Sequence, residues 1–590
     1  MARVQISGGA EIHYIPASSG CKKFQSITFL SYKIKTIQKC IDVSLSMDSC
    51  LIRKGRYHEE VTISRKANLT ISGYEKEKVV MDGTVVLKPE EGIWSLDTDG
   101  ICSGTINVDV YQLFLDEDMM TNARWPNAVW KENKDKERTV FDEAYWGHSD
   151  SVSTPGMMVD REGILGSSNL DMTGAMAVLN TGSWATFVKP VTSHTQGSNS
   201  FEYVDDFADN SAYHFKAGNN RYYLDSKRNL LDNPGEWHFD QITKVLSFMP
   251  YDGSCPDPSS NRVRGRTLDY AMTVTDTVDL TVANITFFAS AFIANSENIL
   301  SQDIRLNSIN FKFASSSKRM LGKIDVPGWT QLNSKLLQDF GYIEVINCVF
   351  FGGEGAALSY KGLRPLIHNN AFLWNDWTGQ LSLNLHGGLG TVFSNSQGEE
   401  LSQNTFENNG CMHSFNPYAS TKPNATLNRF KGTCKGNIQN DGAALHFQIK
   451  PQTDGTMRRN WVYDTPKMGF RTDAATVHPN MNLGEKTTIQ ENVVWDAGRG
   501  FMIKGDNHTI TGNLALQNQG REEEGCSLCV IMYMRNYNYN GEKVLSPLMN
   551  NNSLVENNAA WLANGGPRPG WSPYNGGVWP MPVGAINTFR

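Results

Sequence analysis

Short runs of apolar and β-branched residues, each ending at Gly or Asn, recur along much of this chain of 590 residues. From Cys50 the chain reads LIRKGRYHEEVTI and then ANLTISGYEKEKVVMDGT. Strands this short and this evenly spaced are typical of the stacked turns of a parallel β-solenoid. We therefore predict the first solenoid turns over residues 48–85, after an N-terminal cap segment over residues 1–47.

The rhythm disappears over residues 86–260, where longer alternating strands are separated by turn residues and charged loops such as KENKDKER. Segments such as AMAVLNTGSWATFV and GEWHFDQITKVLSFMP have the period of two expected of half-buried strands. We predict an inserted antiparallel β domain over this range. Its segment RYYLDSKRNLLD is interpreted as a short helix.

The rhythm returns at Leu268 and persists, with an Asn before each apolar or aromatic run. These Asn residues are Asn284, Asn310, Asn347, Asn370, Asn404, Asn428, Asn460, Asn492, Asn513 and Asn558. Their successive intervals run from 21 to 45 residues, which is one solenoid turn with or without a loop insertion. We predict the main parallel β-helix over residues 261–560, and a Gly-, Pro- and Trp-rich cap or linker over residues 561–590.

Asn suits the corners of a solenoid for two physical reasons. It tolerates the left-handed backbone region better than any residue except Gly. Its side-chain amides can also hydrogen-bond to one another up a column of stacked turns. The predicted fold class is therefore all-β, a right-handed parallel β-helix solenoid with an inserted antiparallel β domain.

Composition restricts the function class. The net charge is −7 and the mean hydropathy is −0.39, which argues against a nucleic-acid partner. No apolar run approaches the roughly 18 to 20 residues that span a bilayer, so no membrane partner is expected. The first residues also lack the apolar core of a secretory signal, so either the true start is missing or export is not encoded here.

The cysteines and glycosylation sequons bear on compartment. Ten cysteines are too dispersed to indicate a disulfide scaffold, and the CxxC pair Cys526 and Cys529 favours a local disulfide or plain thiols over a metal site. The Asn-x-Ser/Thr sequons favour an extracellular location modestly. They lie at Asn68, Asn284, Asn424, Asn507 and Asn551.

Candidate chemistry emerges when the strands that follow Gly in four turns are aligned. These strands read GAALSYK from Gly355, GAALHFQ from Gly442, GFRTD from Gly469 and GFMIKGD from Gly500. The odd offsets are mostly large and apolar: Ala356, Leu358, Leu445, Phe447, Phe470, Phe501 and Ile503. The even offsets are polar: Ser359, Lys361, His446, Gln448, Arg471, Asp473, Lys504 and Asp506. Because a period of two places these sets on opposite faces, we expect the odd set inside and the even set on an outer wall.

Acids and bases on neighbouring turns of this wall would lie about 4.8 Å apart. The predicted catalytic residues are Asp441, His446, Arg471, Asp473 and Lys504. The predicted substrate-binding residues are Glu354, Lys361, Gln448, Asp506 and His508. We predict no metal or cofactor, with a calcium site as the alternative, since carboxylates ringed by backbone carbonyls suit Ca²⁺ although no DxDxDG-like spacing is present.

Two chemistries fit such a wall, and both stay open. Polysaccharide β-elimination needs a cation to neutralise a uronate and a base to remove a proton. Glycoside hydrolysis needs two flanking carboxyls. A mixed charged wall is also the usual solvated face of a solenoid. Asp464 and Asp496 share one register and are interpreted as turn residues, and His386, His413 and His478 are lesser candidates.

The runs DGAALHFQ, RRNWVYDTPKMGFRTD and ENVVWDAGRGFMIKGDNHTITGN resemble the right-handed parallel β-helix repeats of the pectate-lyase-like superfamily. That resemblance implies the fold, and it implies a polysaccharide lyase or glycoside hydrolase without choosing between them. Similar sequences read Arg-Phe-Asp-Gly where this chain has Arg471 to Ala474, so Thr472 and Ala474 depart from the pattern.

The sequence therefore leads to two functional hypotheses. The first is a secreted enzyme that cleaves an extracellular, anionic polysaccharide, with Arg471, Lys504 and His446 binding substrate and Asp441 and Asp473 acting as acid and base. The second is a non-catalytic extracellular protein that uses the same wall to dock a glycan.

Overall fold

The computed structural model describes most of the chain. The described residues are 2–5, 35–75, 77–130, 139–181, 186–205, 215, 217–218, 220–296, 303–324, 330–334, 342–378, 390–410, 412–418, 420–436, 442–447, 454–472, 485–503, 505, 507–518, 528–529, 537–539, 542–544 and 552–562. Within them the chain coils into a parallel β-helix whose turns each contribute a strand to three sheets, here called sheets 1, 2 and 3. The predicted β-helix is confirmed.

Sheet 1 contains 13 parallel strands among the described residues. They are Ala2–Gln5, Asp48–Ile52, Ala67–Gly73, Val278–Ala283, Ile304–Asn307, Ile343–Ile346, Leu366–His368, Glu400–Ser402, Asn424–Thr426, Thr456–Arg458, Thr488–Gln490, Thr509–Thr511 and Leu554–Glu556.

Sheets 2 and 3 are joined because two long strands, Trp461–Thr472 and Val493–Ile503, run through both. Sheet 2 also contains Gly55–Tyr57, Val79–Asp82, Thr286–Phe288, Asn310–Lys312, Val349–Phe351, Ala371–Leu373, Thr405–Glu407, Arg429–Lys431, Leu514–Asn518 and Ala559–Leu562. Sheet 3 also contains Val61–Ser64, Tyr270–Thr275, Ala291–Ser296, Thr330–Ser334, Leu358–Lys361, Gly390–Ser394, His413–Pro417, Ala443–Phe447 and Leu528–Cys529.

The solenoid is continuous across an insertion. Ala67–Gly73 pairs directly with Val278–Ala283 in sheet 1, and Val61–Ser64 pairs with Tyr270–Thr275 in sheet 3. Between them the chain forms three further sheets, almost entirely antiparallel. Their strands are Thr84–Val86, Ser95–Leu96, Cys102–Thr105, Leu113–Leu115, Asp118–Met119, Thr121–Asn122, Arg124–Trp125, Gly147–His148, Met157–Val159, Met176–Asn180, Thr186–His194, Ser200–Tyr203, Arg221–Asp225, Glu236–Phe239, Val245–Phe248 and Val263–Arg266.

The remaining described elements are few. The α-helices are Ile37–Val43 and Ile164–Ser167, and the 3₁₀ helices are Glu143–Tyr145, Arg228–Leu230, Pro258–Ser260 and Arg319–Leu321. A hairpin is formed by Tyr537–Tyr539 and Glu542–Val544. None of the helices described here has the length and apolarity needed to cross a membrane. The short helix predicted at 221–232 is limited to the 3₁₀ helix Arg228–Leu230, because Arg221–Asp225 is a strand paired with three others.

The solenoid interior is filled by the apolar positions that the period of two predicts. Six Phe rings stack up sheet 2 with centroids 4.7 to 5.0 Å apart, at Phe287, Phe311, Phe350, Phe372, Phe406 and Phe430. The odd-offset residues Leu445, Phe447 and Phe470 belong to the same core. Because neighbouring turns repeat the same geometry, identical residues can stack in register, and each turn buries the next.

The predicted Asn column is present at the corner between sheets 1 and 2. Each Nδ2 donates to the Oδ1 of the next turn at 2.8 to 3.0 Å, from Asn370 through Asn404, Asn428, Asn460, Asn492 and Asn513 to Asn558. The left-handed backbone expected at the corner Asn residues is present at Asn284 and Asn347, with φ of 55° and 56°, but not at these seven ladder Asn residues. The residue before each one adopts it, with positive φ at Asn369, Gln403, Leu427, Arg459, Glu491, Gly512 and Asn557.

Two disulfides join residues that the sequence did not suggest as pairs. Cys40 bonds to Cys50, and Cys102 bonds to Cys255 across 153 residues of the inserted domain. The first links the helix Ile37–Val43 to the first turn of sheet 1. Dispersed cysteines can pair because the fold, and not the spacing, brings them together.

Candidate functional site

Sheet 3 carries the residues that the sequence placed on an outer wall. His446 lies opposite Arg471 in the parallel register, and Arg471 lies opposite Met502. Since Leu445 and Phe447 on either side of His446 are in the core, the His446 side chain faces outward. The outward direction of His446 and Arg471 is therefore as predicted, and one turn of about 4.8 Å separates them.

The wall is not open to solvent at these positions. His446 is fully buried and Arg471 is 8% exposed. The alternative of a solvated polar face therefore does not hold at these two residues. Lys467, at the junction of sheets 2 and 3 in the same strand as Arg471, is also buried. The Lys467 side chain packs against Gly442, since a Cβ atom added at Gly442 would lie 2.8 Å from Lys467 Cδ.

A second imidazole touches His446. The His413 and His446 rings are 4.3 Å apart between centroids, and His446 Nδ1 lies 3.0 Å from His413 Nε2. The backbone N–H of Ala443 donates to His413 Nδ1 at 3.1 Å. His446 Nδ1 also lies 3.3 Å from His413 Nδ1, so it contacts both nitrogens of one ring and does not lie along the Nε2–H direction of His413. The contact brings the two imidazoles together without fixing the tautomer of either ring.

Glu354 belongs to a different cluster. Its carboxyl accepts from the Ser317 backbone N–H at 3.1 Å and from the Ser316 hydroxyl at 3.3 Å. Arg319 Nη1 lies 3.9 Å away. Burial raises the pKa of Glu354, and the Arg319 guanidinium opposes that rise. This side chain is buried beneath the inserted domain, so the position expected for it beside the outer wall is not what the fold gives.

The other described site residues lie apart from His446. Lys361 ends a sheet 3 strand opposite Asn333 and is partly exposed. His508 is buried at the start of a sheet 1 strand, where its Nδ1 accepts from the Thr487 N–H at 3.1 Å. It therefore does not share the sheet 3 wall on which the sequence placed it. The strand that contains Gly500 ends at Ile503, so counting alternate positions from Gly500 does not give the face on which His508 lies.

Five predicted residues lie outside the described residues: Asp441, Gln448, Asp473, Lys504 and Asp506. Asp464 and Asp496 have φ of 54° and 47°, which confirms them as turn residues in the left-handed region. No group of three or more His, Cys, Asp or Glu that could hold a metal occurs in the described part of the chain.

From the sequence, His413 was only a lesser candidate, and Lys467 was not identified as a candidate site residue. A signal for His413 existed, since the run His413–Pro417 precedes GAALHFQ by one turn and its Phe415 fills the same core position as Leu445. Lys467 had no such signal. It follows Pro466, where the register of Trp461–Thr472 slips between Thr465 and Met468.

No protein-family model matches the sequence, and no curated protein is similar to it. Among solved structures, the chain is similar to one described as "Glycoside hydrolase", with 11% identity over 86% of this chain and 89% of that chain and a TM-score of 0.48. It is also similar to a complex of XylC with xylose, with 10% identity over 84% and 75% of the two chains and a TM-score of 0.33. The tailspike gp61 of Pseudomonas phage phi297 is a third, with 10% identity over 84% and 72% and a TM-score of 0.17. Identities and scores this low carry no argument about activity.

Proposed function

We propose that this chain binds and cleaves an extracellular, anionic polysaccharide at the outer face of sheet 3. The observation that carries the proposal is the register pairing of His446 with Arg471, beside the His413 ring. A permanent cation, next to a paired imidazole system, offers charge neutralisation and proton transfer in a water-poor site. The names of the similar structures, a glycoside hydrolase and a xylose complex among them, agree with a carbohydrate substrate without adding weight.

In this proposal Arg471 binds an acidic group of the substrate. His446, in contact with the His413 ring, binds a sugar oxygen and exchanges protons with the substrate. Lys504 supplies a further cation or base, and Asp441 and Asp473 supply the carboxyls that hydrolysis requires. Gln448, Asp506 and Lys361 remain predicted substrate contacts, whereas Glu354 and His508 lie away from this face and are not included. No metal or cofactor is included in the proposal.

The extracellular assignment has two supports. The disulfides Cys40–Cys50 and Cys102–Cys255 are typical of proteins that fold in an oxidising compartment. The sequon residues Asn68, Asn284 and Asn507 are exposed, as glycosylation requires.

A second candidate function is glycan docking without cleavage. The burial of His446 favours it, because a fully buried ring presents no surface at which a sugar can react. The two functions differ in whether polymer length falls on incubation.

The first test is turnover on a panel of uronic and sulfated polysaccharides. New reducing ends indicate cleavage, and an unsaturated product that absorbs in the near ultraviolet selects elimination over hydrolysis. We expect Arg471→Ala to reduce turnover at least about 100-fold, the usual cost of removing one transition-state donor. Arg471→Lys keeps the charge and loses the planar fork, so it should recover part of the rate.

The matched control is Arg305→Ala. Arg305 lies on the outer side of sheet 1 in an ion pair with Asp279, so its loss should leave turnover unchanged. Circular dichroism of each variant checks that the solenoid is folded. If the wild-type protein cleaves none of the panel, the enzymatic proposal fails. If Arg305→Ala and Arg471→Ala reduce turnover equally, the placement of the site on sheet 3 fails.

A further inference from the structure

The outer face of sheet 2 changes character along the solenoid. In its first half, aromatic side chains point outward and are covered by the inserted domain. Trp130 contacts Phe351 with centroids 5.8 Å apart, and Phe141 stacks on Trp374 at 5.4 Å. Trp130, Phe141 and Phe351 thus form part of a small core of their own. Where the inserted domain packs against this face, it buries the outward aromatic rings.

A second group of outward aromatic rings lies farther along the same face. Trp461, Tyr463 and Trp495, here called the aromatic patch, alternate with the core residues Val462 and Val494. Tyr463 and Trp495 are stacked, with centroids 4.2 Å apart and planes 3° from parallel. Trp461 meets Trp495 edge-on at 5.9 Å and is 53% exposed. An indole this exposed is a large apolar surface left in water, which is the common signature of a binding site.

Cations border the aromatic patch on the preceding turn. Arg429 is in register with Trp461, and Lys431 is in register with Tyr463. Their side chains are 46% and 40% exposed, and both pair with the single carboxylate of Glu407. Two cations sharing one carboxylate leave one positive charge beside the rings. On the turn side, Asp464 pairs with Lys435, and Asp496 is exposed.

We propose that the aromatic patch and its two cations form a second polysaccharide-binding site, separate from the outer face of sheet 3. A pyranose ring presents a flat C–H face that stacks on an indole, and a hydroxyl-rich rim that ion-paired side chains can hydrogen-bond. The cations of Arg429 and Lys431 lie on the turn before Trp461 and the exposed Asp496 lies on the turn after it, so the Arg429 end of the site binds carboxylate or sulfate groups of a polymer. The occupant is therefore an acidic polysaccharide, running from Trp461 toward the turn of Arg429.

The site is pre-formed, which favours binding. Each ring is held by a strand whose neighbours on both sides are paired, so little side-chain order has to be gained on binding. The rings and cations also lie on consecutive turns, and a linear polymer aligned with the solenoid axis can contact them together. The proposal goes beyond the proposed function, because it requires binding and no chemistry.

The test is affinity electrophoresis and isothermal titration of the full chain with polygalacturonate, alginate and heparin, and with neutral dextran as a comparison. We expect Trp461→Ala and the double variant Arg429→Ala/Lys431→Ala each to weaken binding about tenfold, a change of about 1.4 kcal/mol. Tyr251→Ala is the matched control, since Tyr251 is another exposed aromatic residue but lies in the inserted domain. Its affinity should equal that of the wild type.

Each other outcome overturns the proposal. Equal affinity of Trp461→Ala and wild type would remove the patch from the binding site, as would loss of affinity in Arg471→Ala alone. Failure of the wild type to bind all three acidic polymers, or equal binding of dextran, would remove the acidic polysaccharide as its occupant. A dimer in sedimentation velocity that Trp461→Ala dissociates would make a second copy of the chain the occupant. Turnover is scored separately, so a failure of the proposed enzyme activity leaves this result readable.

Discussion

Glu399 is a carboxylic acid inside the solenoid. It is fully buried, and its carboxyl lies near the hydroxyls of Ser394, Ser420 and Tyr360. Burial raises the pKa of this carboxyl, and the hydroxyls of Ser394, Ser420 and Tyr360 oppose that rise without cancelling it. Burial also raises the pKa of the Tyr360 hydroxyl, and the nearby Glu399 adds to the effect. Glu399 is therefore most stable in its protonated form.

The raised pKa of Glu399 predicts that its contribution to the free energy of unfolding depends on pH. The folded-state pKa of Glu399 exceeds the unfolded value of about 4.3, so its contribution to stability is fully present below that pH and is lost as pH rises toward the folded pKa. Glu399→Gln should thus raise Tm relative to wild type at pH 7 and lose this advantage near pH 4. Thermal melts across that range measure it, with exposed Glu60→Gln as control. A wild-type melting temperature that falls on acidification as steeply as that of the Gln variant would contradict the prediction.

At the scale of the element, two adjacent residues have different roles at each corner that carries a ladder Asn. The residue with positive φ makes the corner, and the Asn after it satisfies buried backbone groups. Asn428 shows the pattern, since its Nδ2 donates to the Leu401 carbonyl at 2.9 Å and to Asn460 Oδ1 at 2.9 Å. Its own Oδ1 accepts from the backbone N–H of Asn404 at 3.0 Å.

Removal of one ladder amide should therefore destabilise the whole solenoid. Asn428→Ala leaves the Asn404 N–H groups and the Leu401 carbonyl without their partner, at a cost of about 1–3 kcal/mol for each buried group left unpaired. Asn424→Ala is a control in the same turn, because Asn424 lies partly exposed on sheet 1. Urea unfolding measures both. Equal midpoints for the two variants would show that the ladder contributes no more than a surface amide.

At the scale of the whole molecule, a buried ion pair joins the inserted domain to the solenoid. Arg319 Nε donates to Asp225 Oδ1 at 3.1 Å and to Oδ2 at 2.8 Å, and Arg319 Nη2 donates to Oδ2 at 2.6 Å. Asp225 ends a strand of the inserted domain, and Arg319 lies between the sheet 2 strand Asn310–Lys312 and the sheet 3 strand Thr330–Ser334 of one solenoid turn. Glu354 and the ring of Tyr223 border the same guanidinium. This ion pair, here called the Asp225–Arg319 clamp, holds the inserted domain against the solenoid turns that precede the candidate site.

Breaking this clamp from one side should be costly. Arg319→Met leaves Asp225 buried without its cation, for which about 3–5 kcal/mol is typical. The double variant Arg319→Met/Asp225→Leu removes the unpaired charge and should recover most of that loss. A double-mutant cycle by thermal unfolding measures the coupling. Additive effects of the two substitutions would show that the pair does not hold the domains together.

Local sequence determined the repeating part of this protein. The alternation around Leu445 and Phe470 assigned core and outer faces correctly, because a period of two depends only on strand geometry. The recurrent Asn located the corners, although the residue before each ladder Asn carries the left-handed conformation. The insertion was visible as a loss of rhythm, and Asp464 and Asp496 were recognised as turn residues.

Only the tertiary structure determines which surfaces are buried by segments that are distant along the chain. The Cys102–Cys255 bond, the Asp225–Arg319 clamp and the burial of His446 each join segments that are far apart along the chain. A sequence pattern fixes which face of a strand a side chain occupies, because that depends on its neighbours in the chain. Whether the face then meets solvent, an inserted domain or another imidazole depends on contacts between distant segments, and no local pattern encodes those.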